Sequence, residues 1–330
     1  MSKNNSSIVQ TSRIRLARNI NGYPFPEWSS SDEQNVVKKI AKTAISKIEG
    51  SFAIKELGKT KDCEKNIFVE KNILSSHFLT GDPDLKAFAY NKKSVSIMIN
   101  EEDHVRLCSQ QNGFKLEECW NHLNKVDSAL SSEIEYSFSQ ELGFATACPS
   151  NVGTGMRASV MIHTPALCLE RKMGKIISKL SDSHITVRGL YGEGSMAIGH
   201  IFQISNLNTL GISEIDTIKH LKKVITSIEK KETNARLNVC KKDELLLKDK
   251  VRRAIGILKY ACFLSYEESL DLLSIIYLGQ SLGIENRVKS LMNLAELTKQ
   301  LRDGHLQKQY SRSRKSIEEC RAQKVRQIIT

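Results

Sequence analysis

The sequence has only five prolines, 6% aromatic residues and no apolar run close to the length of a membrane-spanning helix. A helix that crosses a bilayer needs about 20 consecutive apolar residues, and the N-terminus MSKNNSSIVQTSR has no apolar stretch typical of a signal peptide. We therefore expect a cytoplasmic protein without a membrane segment. Hydrophobic residues make up 40% of the 330 positions, which is typical of a globular chain and predicts two domains at roughly 150 residues each.

The chain also lacks any cysteine pair with the CxxC spacing of a structural zinc site, and its histidines stand apart from its cysteines. The eight cysteines are scattered and lack the context of a secreted disulfide framework, so reduced thiols are predicted. We expect no metal site built from side chains. Most of the cysteines are predicted to fill the core, whereas Cys148 precedes a proline, a glycine-rich turn and an arginine.

Basic residues outnumber acidic ones, 49 to 37, which gives a formal net charge of +12. Charge of this size bears on association rather than on the fold. A basic segment covers residues 308–326, KQYSRSRKSIEECRAQKVR. The simplest interpretation of this segment is a solvated helix face. The second is a surface that binds an acidic or phosphorylated partner. A nucleic-acid partner is disfavoured because no nucleic-acid motif or aromatic interleaving accompanies the charge.

Strand and helix patterns mix over the first two thirds of the chain, which predicts an α+β fold. Residues 31–34, SDEQ, predict a capping box that starts a helix with Val36, Ile40, Ala44 and Ile48 on its buried face. Further helices are predicted over 115–130 and from 164, and strands over 94–100, 157–163, 184–188 and 200–205.

After Glu232 the strand signals vanish, and the rest of the chain predicts helices only. We expect a first domain over residues 1–234 and an all-helical domain over 235–330. Residues 265–268 predict a capping box, and Gly283 predicts the end of the helix that it starts. The helical domain has more apolar surface than one small bundle obviously needs, which predicts a homodimer. This apolar surface is supplied by Leu270, Leu273, Ile276, Tyr277, Leu291, Leu294 and Leu297, of which the first four are also predicted to form the buried face of their helix.

Residues 146–163, TACPSNVGTGMRASVMIH, place a cysteine, two glycines and an arginine before an alternating strand. Gly153 and Gly155 would let backbone N–H groups approach an oxyanion closely, and Arg157 adds a planar fork of five donors. Cys148 is a candidate reactive thiolate in the same electropositive place. This segment predicts a site for anion chemistry.

Arginines recur at other predicted strands. Arg13 and Arg15 in TSRIRLAR lie two apart, so in an extended chain both guanidinium groups point to one face. An edge strand with solvated arginines is the alternative for an isolated pair. Arg106, Arg157 and Arg188 each lie at the end or start of a predicted strand, beside a carboxylate cluster or a glycine-rich turn. Five arginines are what a nucleoside triphosphate with its metal requires.

Taken together, the segments TSRIRLAR, NEEDHVR, CPSNVGTGMR and VRGLYGEGS resemble the phosphagen (guanidino) kinases, and most closely the bacterial protein arginine kinases of the McsB type. The resemblance covers almost the whole chain. It implies a catalytic domain with an antiparallel sheet flanked by helices, ATP as phosphoryl donor, and Mg²⁺ bound mainly through the nucleotide phosphates. It assigns phosphate binding to Arg13, Arg15, Arg106, Arg157 and Arg188.

The resemblance assigns the acceptor side to Glu102 and Glu193, which would hold a guanidinium group. A guanidinium with a pKa above about 12 is a poor nucleophile, so a carboxylate must orient it and accept its proton. We expect Glu102 to be the base, supported by Glu101 and Asp103; a solvated acidic turn is the alternative. Cys148 matches the reactive cysteine of the family, whose thiolate would lie against the guanidinium without forming a covalent intermediate.

The function implied is ATP-dependent phosphorylation of arginine residues in proteins. The chain begins close to the RxR motif, without the N-terminal helical domain that covers the substrate in small-guanidino kinases, so we expect an open site that admits a polypeptide. The alternatives are a kinase for free arginine or another small guanidino compound, and a non-catalytic regulatory adaptor. The resemblance also implies a homodimer, and it suggests an activator protein and Clp-type proteolysis machinery as partners.

Three positions depart from the family pattern. Where the protein arginine kinases carry an R-D-x-x-R-A phosphoarginine-binding motif, residues 317–322 read IEECRA, so Ile317 replaces one arginine while Arg321 is kept. The departure predicts poor phosphoarginine binding there. Met196 stands where an acidic residue is usual, and Asn72 replaces a nucleotide-side histidine unless His77 takes that place.

Overall fold

The computed structural model describes residues 8–92, 95–189, 197–284, 288, 294–311 and 313–329. Within these residues the strands are β1 (Val9–Arg18), β2 (Ala53–Glu56), β3 (Ala87–Tyr90), β4 (Val95–Ile99), β5 (Val105–Asn112), β6 (Phe138–Ser139), β7 (Gly143–Phe144), β8 (Met156–His163), β9 (Ile185–Gly189) and β10 (Ile201–Asn206). Eight of them form one sheet in the order β2-β3-β4-β5-β1-β8-β10-β9, and β6 pairs with β7. The pairs β2/β3, β3/β4 and β4/β5 are antiparallel, with Met98 opposite Arg106.

Helices flank these strands and make up the C-terminal part of the chain. They are α1 (Ser31–Lys47), α2 (Asp62–Glu70), α3 (Leu116–Ser131), α4 (Pro165–Leu169), α5 (Met173–Ser181), α6 (Glu214–Lys242), α7 (Glu244–Tyr260), α8 (Tyr266–Ser281), α9 (Leu294–Gln300), α10 (Asp303–Gln309) and α11 (Ile317–Ile329). The α+β class is confirmed. No helix formed by the described residues has the length and apolar character needed to span a bilayer.

The chain divides into two compact units that do not follow sequence order. The first unit contains Ser12–Ser159 and Ser205–Lys222, and the second contains the residues up to Thr11, Val160–Ile204 and Lys223–Thr330. The predicted boundary at residue 234 therefore falls inside α6, a single helix that runs from Glu214 to Lys242.

Strand β1 shows why the first unit has a polar functional face. Its alternation buries Ile14 and Leu16, which are 0% and 1% exposed, and leaves Arg13 and Arg15 partly exposed. Successive side chains of a strand point to opposite faces, so the two arginines share one face of the sheet. The apolar face of the sheet holds the strand in place while the arginine face carries the chemistry.

Helix α1 begins one residue earlier than predicted. Ser30 is its N-cap: the Ser30 hydroxyl accepts from Glu33 N at 3.3 Å, and the Glu33 carboxylate accepts from Ser30 N at 2.7 Å. Both serines fit the pattern of a capping box, but only Ser30 has a carboxylate three residues later, which is the charge favoured at a helix N-terminus. The buried residues are Val37, Ala41, Ala44 and Ile45. Val36, predicted to be buried, is 40% exposed.

The predicted helix at 265–283 is confirmed. Ser265 caps α8 by accepting from Glu268 N at 3.0 Å. After the C-cap Leu282, Gly283 adopts φ 70°, a left-handed conformation that suits glycine at a helix end.

The residues predicted to form a dimer interface are instead core residues of the second unit. Leu270, Leu273 and Ile276 are each 0% exposed. Tyr277, Leu294 and Leu297 belong to the same cluster, and Leu291 lies outside the described residues. A single protomer already buries this face, because α8 packs against α7, α9 and α11. Exposed apolar residues lie elsewhere, at Leu245, Leu246, Ile257 and Tyr260 on α7 and at Phe263 just after it.

Candidate active site

Four arginines predicted to bind phosphates come together in the first unit. Arg13 and Arg15 lie on β1, Arg106 on β5 and Arg157 on β8, and these three strands are neighbours in the sheet. Ala17 N donates to Gly155 O at 2.9 Å, which places Arg15 across from Arg157 on the neighbouring strand. The four guanidinium groups form what we call the arginine cluster.

Electrostatic repulsion within the arginine cluster is strong. The positive charge of Arg13 is the largest cause that holds the pKa of Arg15 well below its ordinary value, burial is the next, and the charges of Arg106 and Arg157 add to it. Arg15 Nε is also buried and has no hydrogen-bond partner among the described residues. Buried like charges are costly unless a counter-ion neutralises them. The cluster is therefore suited to a highly charged anion such as a polyphosphate.

The carboxylate loop lies between β4 and β5 and is closed by a tight turn. Asn100 N donates to His104 O at 3.0 Å, and Glu101 N donates to Asp103 O at 3.1 Å. Asn100 adopts φ 58°, the left-handed conformation that asparagine tolerates better than most residues. The turn directs Glu101 and Glu102 back toward β5, where Arg106 binds both of them.

Arg106 connects the arginine cluster to the carboxylate loop. Its Nη1 lies 2.8 Å from Glu102 Oε2 and also donates to Glu101, which accepts from the Ser75 hydroxyl as well. Burial alone would raise the pKa of Glu101, but the charge of Arg106 and the hydrogen bond from Ser75 outweigh it and lower that pKa. Burial opposes the charge of Arg106 too, yet the two glutamates raise its pKa. The pair Glu101–Arg106 is thus fixed in its ionised form.

Glu102 differs from Glu101 in exposure. The Glu102 side chain is 43% exposed, against 2% for Glu101. Glu101 is therefore a buried structural partner of Arg106, whereas Glu102 presents its carboxylate to an open cavity. Of the two, only Glu102 can meet an incoming cation without first breaking a buried network.

Asp103 holds the carboxylate loop against the segment that carries Cys148. Asp103 is fully buried, and its Oδ1 accepts from Asn19 Nδ2 and from Ala147 N, both at 2.8 Å. His104 ties the loop to the segment just after β1, because its Nδ1 accepts from Ile20 N at 3.0 Å. Burial lowers the pKa of His104, which favours the neutral imidazole with a proton on Nε2.

Asp103→Ala is expected to lower turnover by about 10²-fold, the scale of a displacement of about 1 Å at a reacting group. It leaves two buried donors without an acceptor, at about 1–3 kcal/mol of unfolding free energy each. Asp103→Asn keeps an oxygen for both donors and should restore most of the activity. Steady-state kinetics and thermal melts of both variants check this, and equal losses in the two variants would contradict a positioning role.

Cys148 lies in the same region, ahead of the strand β8. Its side chain is partly exposed, and its Sγ is 3.1 Å from Ser150 Oγ. The Thr146 hydroxyl donates to the Cys148 carbonyl at 2.9 Å, which fixes the local backbone. Cys148 and Glu102 both line one cavity.

This cavity, the acceptor cavity, has a volume of about 710 Å³. Its lining includes Pro26, Glu27, Gln34, His77, Thr80, Gly81, Asp82, Leu85, Lys86, Asn100, Glu101, Glu102, Ala147, Cys148 and Pro149. Four of these residues are carboxylates, so the lining is suited to a cationic ligand. The sequence analysis identified Glu101, Glu102 and Cys148 for the acceptor side. It missed Glu27 and Asp82, because these lie in loops far from NEEDH in the chain.

Gly153 and Gly155 have a packing role that the sequence interpretation missed. A Cβ on Gly155 would lie 2.6 Å from Ala17 O, and one on Gly153 would lie 2.2 Å from Thr209 O. Both glycines also have positive φ, 113° at Gly153 and 63° at Gly155. They are required because backbone segments approach each other here, which is a sufficient reason without any contact to an oxyanion.

Three residues named in the sequence analysis lie outside the first unit or outside the described residues. Arg188 lies in the second unit, near the end of β9, and is partly buried. Glu193 and Met196 lie outside the described residues. Among the described residues there is no group of three or more His, Cys, Asp or Glu side chains that could hold a metal ion.

Two family models match the chain. "ATP:guanido phosphotransferase, C-terminal catalytic domain" matches residues 33–235, and "Protein-arginine kinase McsB C-terminal domain" matches residues 244–330. A protein-arginine kinase of Clostridium acetobutylicum is 44% identical over 295 residues, which cover 88% of this chain and 86% of the relative. One of Clostridium tetani is 38% identical over 330 residues, covering 99% and 96%.

Solved structures of guanidino kinases share the fold. The duplicated taurocyamine kinase from Schistosoma mansoni matches with a TM-score of 0.62 at 26% identity. The match covers 68% of this chain and 33% of the taurocyamine kinase. A lombricine kinase has a TM-score of 0.61 at 29% identity, covering 68% of this chain and 66% of the other. The chain therefore belongs to the ATP:guanido phosphotransferase family and, within it, to the protein-arginine kinases. Membership of a kinase family implies the use of ATP.

Proposed function

We propose that this protein is an ATP-dependent protein arginine kinase, which transfers the γ-phosphoryl group of ATP to the guanidinium group of arginine residues in proteins. The observation that carries the proposal is the arrangement of an anion site beside a cation site within one unit. The arginine cluster is suited to a polyphosphate, and the acceptor cavity is suited to a guanidinium. Arg106 contacts both, because it belongs to the cluster and ion-pairs with Glu102.

On the donor side, the arginine cluster binds the phosphates of ATP and neutralises the charge that develops on the transferred group. Family resemblance adds Arg188 to this role. Mg²⁺ reaches the site with the nucleotide, since guanidinium groups are donors only and cannot ligate a cation. When bound, the ion would offset negative charge on the phosphates.

On the acceptor side, Glu102 orients the guanidinium and accepts its proton. A bond forms between a guanidinium nitrogen and the γ-phosphorus, the bond from phosphorus to the bridging oxygen of ADP breaks, and the proton goes to the carboxylate. Family resemblance adds Glu193 as the second carboxylate. Cys148 orients the guanidinium rather than attacking it, because direct transfer needs no covalent intermediate.

One experiment tests the function. The protein is incubated with ATP labelled at the γ-phosphate, an unfolded carboxymethylated protein that contains arginine, and free arginine. We expect acid-labile label on the protein arginines. Label on free arginine alone would favour a kinase for small guanidino compounds, and no transfer to either would favour the adaptor alternative.

The helical region 235–330 is proposed to form a homodimer, as the resemblance to the protein arginine kinases implies. The apolar residues available for such an interface are the exposed ones on α7 and just after it, including Tyr260 and Phe263, which are 74% and 63% exposed. Light scattering at micromolar concentration measures the mass. An activator protein, Clp-type machinery and a cytoplasmic location stay predictions from the sequence.

The degenerate segment 317–322 is expected to bind phosphoarginine poorly. Arg321 is only 3% exposed, and all three of its nitrogens already donate inside the protein. Nε donates to Leu301 O at 3.0 Å, Nη1 to Leu264 O at 2.9 Å, and Nη2 to Asp303. A guanidinium held in this way has no fork to offer a phosphate.

Calorimetry with free phosphoarginine should therefore show no saturable binding, and phosphoarginine should not raise turnover. Arg321→Ala is expected to lower the unfolding free energy by about 1–3 kcal/mol, because it leaves buried carbonyl groups without donors. The exposed Arg314→Ala serves as the matched control and should leave the stability unchanged. Saturable binding that disappears in Arg321→Ala would show that the segment is a working phosphoarginine site.

A further inference from the structure

The acceptor cavity is larger than one arginine side chain requires. Its volume of about 710 Å³ lies within the roughly 300–1,000 Å³ of sites that enclose a whole drug-sized molecule. An arginine that reaches Glu102 from a polypeptide therefore brings its neighbouring residues into contact with the remaining walls. Those walls decide which sequences around the arginine bind well.

The remaining walls are negatively charged. Glu27 and Asp82 line the cavity in addition to Glu101 and Glu102. Arg106 forms ion pairs with the latter two. In contrast, no hydrogen bond or ion pair to another described residue holds the Glu27 side chain, and Asp82 accepts one backbone N–H, from Asp84 at 2.9 Å.

The one ammonium group among the described lining residues offsets only part of this charge. Lys86 Nζ donates to Phe78 O at 3.3 Å and to Thr80 O, so it is directed at backbone carbonyls. Burial lowers the pKa of Lys86, opposed by the charges of Glu101 and Asp82. Glu27 and Asp82 together still outnumber this single ammonium group, so this wall of the cavity remains attractive to a cationic ligand.

A buried acceptor in the same cavity points to a ligand rich in donors. Asn100 is fully buried and lines the cavity. Its Nδ2 donates to Gln34 O and Leu85 O, both at 2.9 Å, which leaves Oδ1 without a partner among the described residues. Buried acceptors without a donor are uncommon in folded proteins, and side chains such as arginine and lysine bring donors only.

The turn that carries Glu27 is held rigidly and exposes an indole. Trp28 N donates to Phe25 O at 2.9 Å, the rings of Phe25 and Trp28 lie 5.8 Å apart, and His104 Nε2 lies 2.8 Å from Pro24 O. Trp28 is nevertheless 76% exposed. Tryptophan is the best aromatic partner for a lysine or arginine cation.

We propose that Glu27 and Asp82 select target arginines that have a second cationic residue beside them, and that Trp28 contacts the same basic segment. The inference rests on the proposal that this cavity holds the acceptor arginine. It adds a substrate class: arginines within basic stretches of polypeptide, as opposed to arginines flanked by acidic residues.

The test uses three synthetic peptides of glycine and serine with a single arginine, flanked by lysine, serine or glutamate. We expect kcat/KM to be highest for the lysine-flanked peptide and lowest for the glutamate-flanked one. Each carboxylate that pairs with a flanking lysine should change kcat/KM by about two- to fivefold, the usual scale of an exposed ion pair. The preference should weaken at high salt, because solvent screens such pairs. Glu27→Gln with Asp82→Asn should remove the preference for lysine, so that kcat/KM for the lysine-flanked peptide falls to about the value for the serine-flanked one. The matched control is Glu118→Gln with Asp62→Asn, two exposed carboxylates that do not line the cavity.

Equal kcat/KM for the three peptides, no turnover of the lysine-flanked peptide, or a lysine preference that survives in the Glu27 and Asp82 double variant would each overturn the inference. Trp28→Ala gives an independent measurement and should raise KM for the lysine-flanked peptide more than for the serine-flanked one. Failure of the arginine kinase function itself gives a different result, since the unfolded protein substrate would then also take up no label.

Discussion

Glu102→Gln is expected to reduce phosphoryl transfer by about 10²–10⁴-fold, the usual contribution of a positioned base. Glutamine keeps the size of the side chain but cannot accept the proton of the guanidinium. Nucleotide binding should persist, because Arg106 keeps its buried ion pair with Glu101. Single-turnover kinetics measure the loss, and fluorescence titration with a labelled ATP analogue measures the retained binding.

A matched control distinguishes chemistry from surface charge. The side chain of Glu118, on α3, is also 43% exposed and forms an ion pair, at 3.0 Å, with Lys115, the N-cap of that helix. Glu118→Gln should leave the turnover unchanged, since an exposed pair contributes only about 0–1 kcal/mol to stability. Near-normal turnover in Glu102→Gln would remove Glu102 from the role of the base and leave the proton without an identified acceptor.

The residues that the sequence predicted best are those whose role follows from local spacing. The alternation in TSRIRLAR is enough to place Arg13 and Arg15 on one face, and the structure places them there. The helix capped by Ser265 could also be predicted, because the N-cap Ser265 and its partner Glu268 lie within four residues. Local patterns fail where two registers fit equally well, as at Ser30 and Ser31, since the choice then depends on which partner stabilises the helix end more.

Contacts between distant segments could not be predicted from one sequence. Asp103 accepts a hydrogen bond from Ala147 N, which lies 44 residues away in the chain, and no sequence motif at either residue predicts this bond. Glu27 and Asp82 meet the cavity of Glu102 for the same kind of reason. The predicted dimer face failed differently: the apolar pattern of α8 was read correctly as a buried face, but the partner that buries it lies within the same chain.

Two arginines on the same strand are expected to have opposite effects on stability. Arg15 is repelled by Arg13, Arg106 and Arg157, and its pKa is held well below the ordinary value. Arg18 is 1% exposed, and its Nη2 lies 2.7 Å from Asp127 Oδ2. Methionine preserves much of the apolar stem of either side chain, so each substitution removes mainly the charge and its hydrogen bonds.

Arg18→Met is expected to lower the unfolding free energy by about 3–5 kcal/mol, because Asp127 is left as a buried charge without a partner. The same variant loses the hydrogen bond from Arg18 Nη1 to Thr154 O at 2.9 Å, and the contact of its guanidinium with the ring of Phe144, 3.6 Å from the centroid. Denaturant unfolding without nucleotide measures this loss.

Arg15→Met is expected to do the reverse. Without nucleotide the protein should be more stable than the wild type, since one of four mutually repelling guanidinium groups is gone. A group whose folded pKa is lowered destabilises the fold while it remains charged, and this holds throughout neutral pH. Addition of ATP should then stabilise the variant much less than the wild type, because ligand stabilisation follows the affinity for the folded state. Turnover should fall by about 10²–10³-fold, the usual effect of losing one donor to a developing anion. If Arg15→Met instead destabilised the nucleotide-free protein as Arg18→Met does, Arg15 would be a structural arginine, and the arginine cluster would not be an anion site held ready for ATP.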